Sequence, residues 1–177
     1  MRALIQELIP HAPHMGLYVA PSIPSSKLRN AVKDYAPGVS PDSVLALYDG
    51  TLMGSAKDGI LFTDDMLVFQ NSDLEAPQEI RYREIVHVDR KKRLLKSTRI
   101  RLDVNRGRAT FTVKLDLSAK PKATEYLYRF FKEVMLLPEN NESQGTDWAA
   151  VHAALDRLRE DGSLSAVDHS RMIRHAR

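Results

Sequence analysis

Two periodicities alternate along the chain. Leu28, Ala31, Val32 and Tyr35 recur at i, i+3, i+4 and i+7, which predicts one apolar stripe on a short helix. Ser25 and Ser26 precede the stripe and suit the free N–H groups of a first turn, and Pro37-Gly38 ends it. Residues 1–24 hold Pro10, Pro13, Pro21 and Pro24, so they predict a helical turn or two followed by an irregular leader. From Ser43 the pattern changes. Residues 44–48 are continuously apolar up to Asp49-Gly50; residues 59–63 form a second run, Asp64-Asp65 sits where a tight turn belongs, and Met66, Leu67, Val68 and Phe69 follow. That is a strand–turn–strand hairpin in outline.

Further strands are predicted at 80–88, with Ile85, Val86 and Val88 as core contributors, and at 98–104, where Ile100, Leu102 and Val104 alternate with Arg99, Arg101 and Asp103. After a turn at 105–108, Phe111, Val113, Leu115 and Leu117 alternate with Thr110, Thr112, Lys114 and Asp116, which assigns Phe111 to the core. This period of two belongs to half-buried antiparallel strands. The helical period then returns with Tyr126, Leu127, Phe130, Phe131, Val134 and Leu137, ending at Pro138. A polar stretch at 139–146 reads as a linker. Beyond it, Trp148, Val151, Leu155 and Leu158 stripe one more helix that stops at Asp161-Gly162, and Ser165 with Asp168 forms a capping-box pattern for a second.

The expected fold is therefore mainly β within an α+β class. An antiparallel sheet curls into a barrel or sandwich, an amphipathic helix caps it, and a small helical tail follows. The organisation reads as a leader and short helix at 1–39, the β domain at 40–138, the linker at 139–146 and a helical hairpin at 147–177.

Charge changes this picture more than composition does. The formal net charge is +3 at pH 7, yet residues 1–80 carry 5 Lys/Arg against 10 Asp/Glu, residues 81–122 carry 14 against 4, and residues 123–177 carry 7 against 9. Arg90, Lys91, Lys92 and Arg93, followed by Lys96, Arg99 and Arg101, concentrate the positive charge, with Arg106, Arg108 and Lys114 close by. Such a face attracts lipid phosphates, nucleic acid or an acidic protein surface, or it pairs with this protein's own acids. Tyr82 and Phe111 are the only aromatics near it, too few for a base-stacking platform.

No residue set is equipped for catalysis. The chain has no cysteine, so a disulfide framework, a thiolate metal site and a thiol nucleophile are all excluded, which suits a cytoplasmic, reducing setting. The first ten residues are too short and too broken by Glu7 for a signal peptide or span. His11 and His14 are spaced i, i+3, but Pro10 and Pro13 oppose the helix that a shared metal would need, and they read as solvent-facing. His87 lies between Val86 and Val88 and so points to the opposite, outer face. Gly54 to Gly59 has the glycine spacing of a phosphate loop, but Ile60-Leu61 stands where Lys-Ser/Thr is required; these glycines serve a hairpin loop instead. Neither a metal nor a cofactor is expected.

One stretch carries a resemblance. Leu45-Ala-Leu-Tyr-Asp-Gly-Thr-Leu-Met-Gly-Ser-Ala-Lys-Asp-Gly-Ile-Leu-Phe-Thr-Asp-Asp65, then Ile80-Arg-Tyr82 with Ile85-Val86, resembles bacterial pleckstrin-homology-like domains over about residues 40–137. The resemblance implies two roughly orthogonal antiparallel sheets closed by the C-terminal helix, with self-assembly or protein partners as the function. It also implies that an inositol-phosphate pocket is missing, because the loop 49–58 offers Lys57 alone against two aspartates. Leu155-Asp-Arg-Leu158 through Gly162-Ser-Leu164-Ser165 is similar to the short SHOCT-type helical hairpins of bacterial C-termini, although the usual acidic and aromatic residues of the second helix are missing.

The leading expectation is a non-enzymatic interaction module that binds a protein partner or itself, with Trp148, Val151, Leu155 and Leu158 as tail contacts. The alternative is a peripheral binder of anionic membrane or nucleic acid through the segment 90–108.

Overall fold

The computed structural model describes residues 1–90, 98–137 and 156–157. The chain divides into two units, Met1–Asn140 and Asn141–Arg177. The first holds α1 (Arg2–Leu8), β1 (Leu17–Val19), α2 (Ser25–Asp34), β2 (Ala46–Asp49), β3 (Gly59–Phe62), β4 (Met66–Gln70), β5 (Gln78–Arg81), β6 (Ile85–Asp89), β7 (Arg99–Asn105), β8 (Thr110–Asp116) and α3 (Ala123–Met135). In the second unit Asp156 and Arg157 are helical and exposed. The linker at 139–146 and the remaining hairpin residues lie outside the described residues.

Strands β1 to β5 form an antiparallel sheet in sequence order, and β6 to β8 form a second. The protein is mainly β, as expected, but the two sheets are not closed into a barrel. Continuous apolar runs appear where a sheet is covered on both sides. Leu47, Leu61 and Val68 stand in register across β2, β3 and β4 and pack with Ala31, Tyr35, Val39 and Val44, on and just beyond α2. Their neighbours Tyr48, Ile60, Phe62, Leu67 and Phe69 face the main core with β6 to β8 and α3. Alternating runs appear where one face meets water: Ile100, Leu102 and Val104 are fully buried while the residues between them are not.

Helix α3 closes this core with an aromatic cluster. Phe130 meets Phe62 edge-on at 5.5 Å, Phe131 at 5.3 Å and Tyr82 at 6.0 Å between ring centroids. Such pairs add directional attraction to the burial itself.

Three expectations are corrected. The segment 80–88 is not one strand: β5 and β6 belong to different sheets, joined by a 3-10 turn at Tyr82–Glu84. The Tyr82 hydroxyl donates to Thr63 O at 3.1 Å and the Glu84 carboxylate accepts the Arg81 N–H at 3.4 Å, so local bonds turn the corner. The leader is not irregular. Ile5 and Ile9 are buried in the main core, and β1 pairs with β2 at the edge of the larger sheet. Phe111, assigned to the core, is 37% exposed. It sits at the end of the β7–β8 hairpin, where the Arg106 guanidinium covers its ring at 5.3 Å.

Candidate interaction surface

The β2–β3 loop at 50–58 is organised by one buried carboxylate. Asp49 ends β2 fully buried, and a bare carboxylate there would cost several kcal/mol without partners. Four residues answer it. Lys27 of α2 approaches Oδ2 at 2.7 Å, and Oδ1 accepts the Thr51 hydroxyl at 2.6 Å, the Thr51 N–H at 3.0 Å and the Ala56 N–H at 3.1 Å. Lys120 lies 3.9 Å from Oδ1 and donates to Asp49 O at 3.1 Å and Thr51 O at 2.7 Å. Burial pushes the Asp49 carboxyl up, but the bonds from Lys27 and Thr51 and the charge of Lys120 outweigh it and hold the group below the usual carboxylate range.

The same groups fix the loop backbone. Lys27 also donates to Gly54 O, Asn30 Nδ2 donates to Ser55 O at 2.8 Å, and the Ser55 N–H donates to the Thr51 hydroxyl at 2.7 Å. The Gly54 N–H reaches Thr51 O at 3.4 Å, closing a turn with Leu52 and Met53 at its centre. Gly54 adopts φ +75°, and a Cβ at Gly59, with φ +147°, would fall 1.9 Å from Tyr48 O, so the two glycines are structural requirements of the hairpin. The result is a firmly held loop whose tip is apolar: Leu52 is 85% exposed and Met53 is 94% exposed.

The three basic candidates among the described residues, Arg90, Arg99 and Arg101, are each ion-paired. Arg90 pairs with Glu125 of α3 and lies over the Tyr128 ring at 4.6 Å. Arg99 pairs with Asp116 at 2.9 Å, and Arg101 pairs with Asp89. The hydrogen bond from Arg101 draws the Asp89 carboxyl below its ordinary range. Arg106 pairs with Glu84 at 3.1 Å and donates to Glu79 O. On the outer face of the smaller sheet, His87, Asp89, Arg101, Asp103 and Thr112 line a shallow pocket of about 220 Å³. Its polar groups serve each other: besides the Arg101–Asp89 pair, the Thr112 hydroxyl donates to Asp103 at 2.6 Å. Lys91, Lys92, Arg93 and Lys96 lie outside the described residues, as do Trp148, Val151, Leu155 and Leu158.

His87 is exposed, but Val86, expected in the core with Ile85 and Val88, is only half-buried, because the register shift between Ile85 and His87 breaks the alternation. His11 and His14 are exposed, and Nδ1 of His11 accepts the Val19 N–H at 3.3 Å. Among the described residues no three His, Asp or Glu side chains are placed to share a metal ion.

Sequence reasoning passed over Leu52, Met53, Lys27 and Lys120. The two apolar residues do carry a legible signal, since they interrupt a polar Gly-flanked loop. The lysines carry none, because they reach the loop from α2 and from the segment after β8. Compared with protein-family models, with curated proteins and with solved structures, the chain matches none.

Proposed function

We propose that this chain is a non-enzymatic interaction module of pleckstrin-homology-like architecture that binds a protein partner through the tip of its β2–β3 loop. One observation carries the reading: two large apolar side chains, Leu52 and Met53, stand almost fully exposed on a loop fixed by a buried charge network. A mobile loop could fold such side chains away, whereas this one holds them in water at a standing cost. Burying both against a partner is worth about 1.5–3 kcal/mol per side chain, and a rigid scaffold loses little entropy on binding. That combination is what an interface anchor needs.

The sequence of a strand meander, a corner, a second meander and a closing helix supports the pleckstrin-homology-like part of the proposal. The anionic-surface reading draws less support, because Arg90, Arg99 and Arg101 are each committed to an acid of the same chain. No helix among the described residues is long and apolar enough to cross a membrane.

The test compares the full chain with L52S/M53S in affinity co-isolation at low and at high salt. The proposal expects a discrete protein retained by the wild type at both salt levels and lost from the variant. Equal retention by both chains contradicts it. So does capture limited to nucleic acid or anionic vesicles and abolished by salt, which is the signature of phosphate contacts.

A further inference from the structure

The two acids that bracket the β2–β3 loop are treated unequally. Asp49, before it, is met by Lys27, Lys120 and three hydrogen bonds to Oδ1. Asp58, at its end, has no such answer. Its side chain is partly withdrawn from water, and Oδ1 is buried without a hydrogen-bond partner. The charges that act on it belong to two further carboxylates. Asp73, in the β4–β5 loop, stands beside it, and Asp34, at the end of α2, acts from farther off. Among the described residues none of these three acids forms an ion pair. Burial first, then Asp73 and Asp34, push the Asp58 carboxyl above its ordinary range, opposite to Asp49.

Two uncharged side chains bring further unpartnered oxygens to the same end of the larger sheet. Gln70 closes β4, is 8% exposed, and pairs with Gly59, the residue after Asp58. Its Nε2 donates at 3.0 Å to the carbonyl of Ser72, the residue before Asp73. The amide is thus held between the two segments that carry Asp58 and Asp73, and its Oε1 is buried with no donor to accept from. Tyr35 follows Asp34 and is 1% exposed; its buried hydroxyl also lacks a partner, and the charge of Asp58 acts on it. Buried polar atoms are costly to leave unpartnered, and three at one end of a sheet call for a partner from outside the chain. The set is all oxygen and its charges are all negative, which suits a hard cation.

We propose that Asp58, Asp73 and the Gln70 side-chain carbonyl bind a hard divalent cation, calcium by preference, which ties the β2–β3 loop to the β4–β5 loop. Two carboxylates and an amide supply the ligands, so the site needs no third acidic or imidazole ligand. Asp34 adds negative charge from α2, and water completes the shell on the exposed side of Asp73. Strand pairing brings these residues together, so no sequence motif announces them. Calcium is preferred because it accepts irregular oxygen shells, whereas magnesium demands a near-ideal octahedron. With two charged ligands the affinity is low, with a Kd on the order of 1 mM. The site uses neither Leu52 nor Met53, so L52S/M53S leaves cation binding unchanged and the two proposals fail independently.

Calorimetric titration of calcium chloride into the full chain, with thermal melts against sodium chloride at equal ionic strength, tests the proposal. The sodium chloride baseline removes whatever comes from screening the three acids. At about 10 mM calcium the melting midpoint is expected to rise by roughly 3–5 °C above that baseline, and by less in magnesium. D73N removes one charged ligand on an exposed loop and should weaken calcium binding about tenfold. Its calcium-free midpoint should equal or exceed that of wild type, because one repulsion is gone. D64N makes the same change in the turn at the opposite end of β3 and should keep the wild-type response. Q70E sets a third carboxylate at the ligand position, so calcium should bind more tightly while the calcium-free chain melts earlier. A purely structural Gln70 does not give those opposite shifts. A calcium response no larger than that of sodium chloride overturns the proposal, as does a D73N chain that responds like wild type or a Q70E chain that binds no more tightly. So does a shift produced by an organic diamine and not by calcium, which assigns the acids to ammonium groups instead.

Discussion

Asp49 decides the shape of the loop because a fully buried carboxylate must be answered from all sides. Replacing it with asparagine removes the charge while Lys27 and Lys120 remain at the site, and D49N should lose about 3 kcal/mol in denaturant melts. A loss below about 0.5 kcal/mol, the level of an ordinary surface change, would show the network to be idle. The pH dependence follows from the depressed carboxyl. In the unfolded chain Asp49 titrates near an ordinary value of about 3.9; in the folded chain it titrates lower. The unfolded state therefore takes up the proton first, and the contribution of Asp49 is fully present above about pH 5. It declines as pH falls towards the folded value. The gap between wild type and D49N should be constant from about pH 5 to about pH 8 and should shrink below about pH 4. The sequence marks Asp49 only as the stop after an apolar run. Its partners were illegible, since Lys120 lies 71 residues away and only tertiary structure unites them. Phe111 shows the converse limit: alternation assigns it correctly to the inner side of β8, but a period of two does not reveal where the opposing core ends.

Elements were most legible where period and burial agree. Both hairpins, β3–β4 and β7–β8, and helices α2 and α3 follow their sequence patterns closely. The corner between β5 and β6 was hidden because Tyr82 and Ile85 look like strand residues whichever sheet they join. The hydroxyl of Tyr82 is what distinguishes it. Its buried bond to Thr63 O predicts that Y82F costs about 1 kcal/mol with little cavity penalty, measured as a shift in the denaturant midpoint at unchanged m. A neutral Y82F would leave the corner without an account. The basic strand face predicts the opposite kind of result. Arg99 and Arg101 form solvent-exposed pairs, so R99A and R101A should each change stability by less than about 1 kcal/mol and barely alter retention on anionic vesicles. A steep, salt-sensitive drop in retention would restore the anionic-surface reading.

Across the whole molecule, charge and apolar exposure divide the work. The excess of 14 basic over 4 acidic residues at 81–122 suggests an anion-binding segment when read as a line of letters. In three dimensions Glu125, from outside that segment, answers Arg90, and acids within it answer Arg99, Arg101 and Arg106. Among the described residues, Leu52 and Met53 are two adjacent large apolar side chains left in water. Because Leu52 and Met53 make few contacts of their own, L52S/M53S should keep stability within about 0.5 kcal/mol of wild type while removing the proposed docking tip. The most direct test installs a photo-crosslinking phenylalanine analogue at position 53 of the full chain in living cells, with position 57 as control. The account predicts a discrete protein adduct from position 53, formed in far lower yield from position 57. Labelling confined to lipid or nucleic acid, or equal diffuse labelling from both positions, would contradict it.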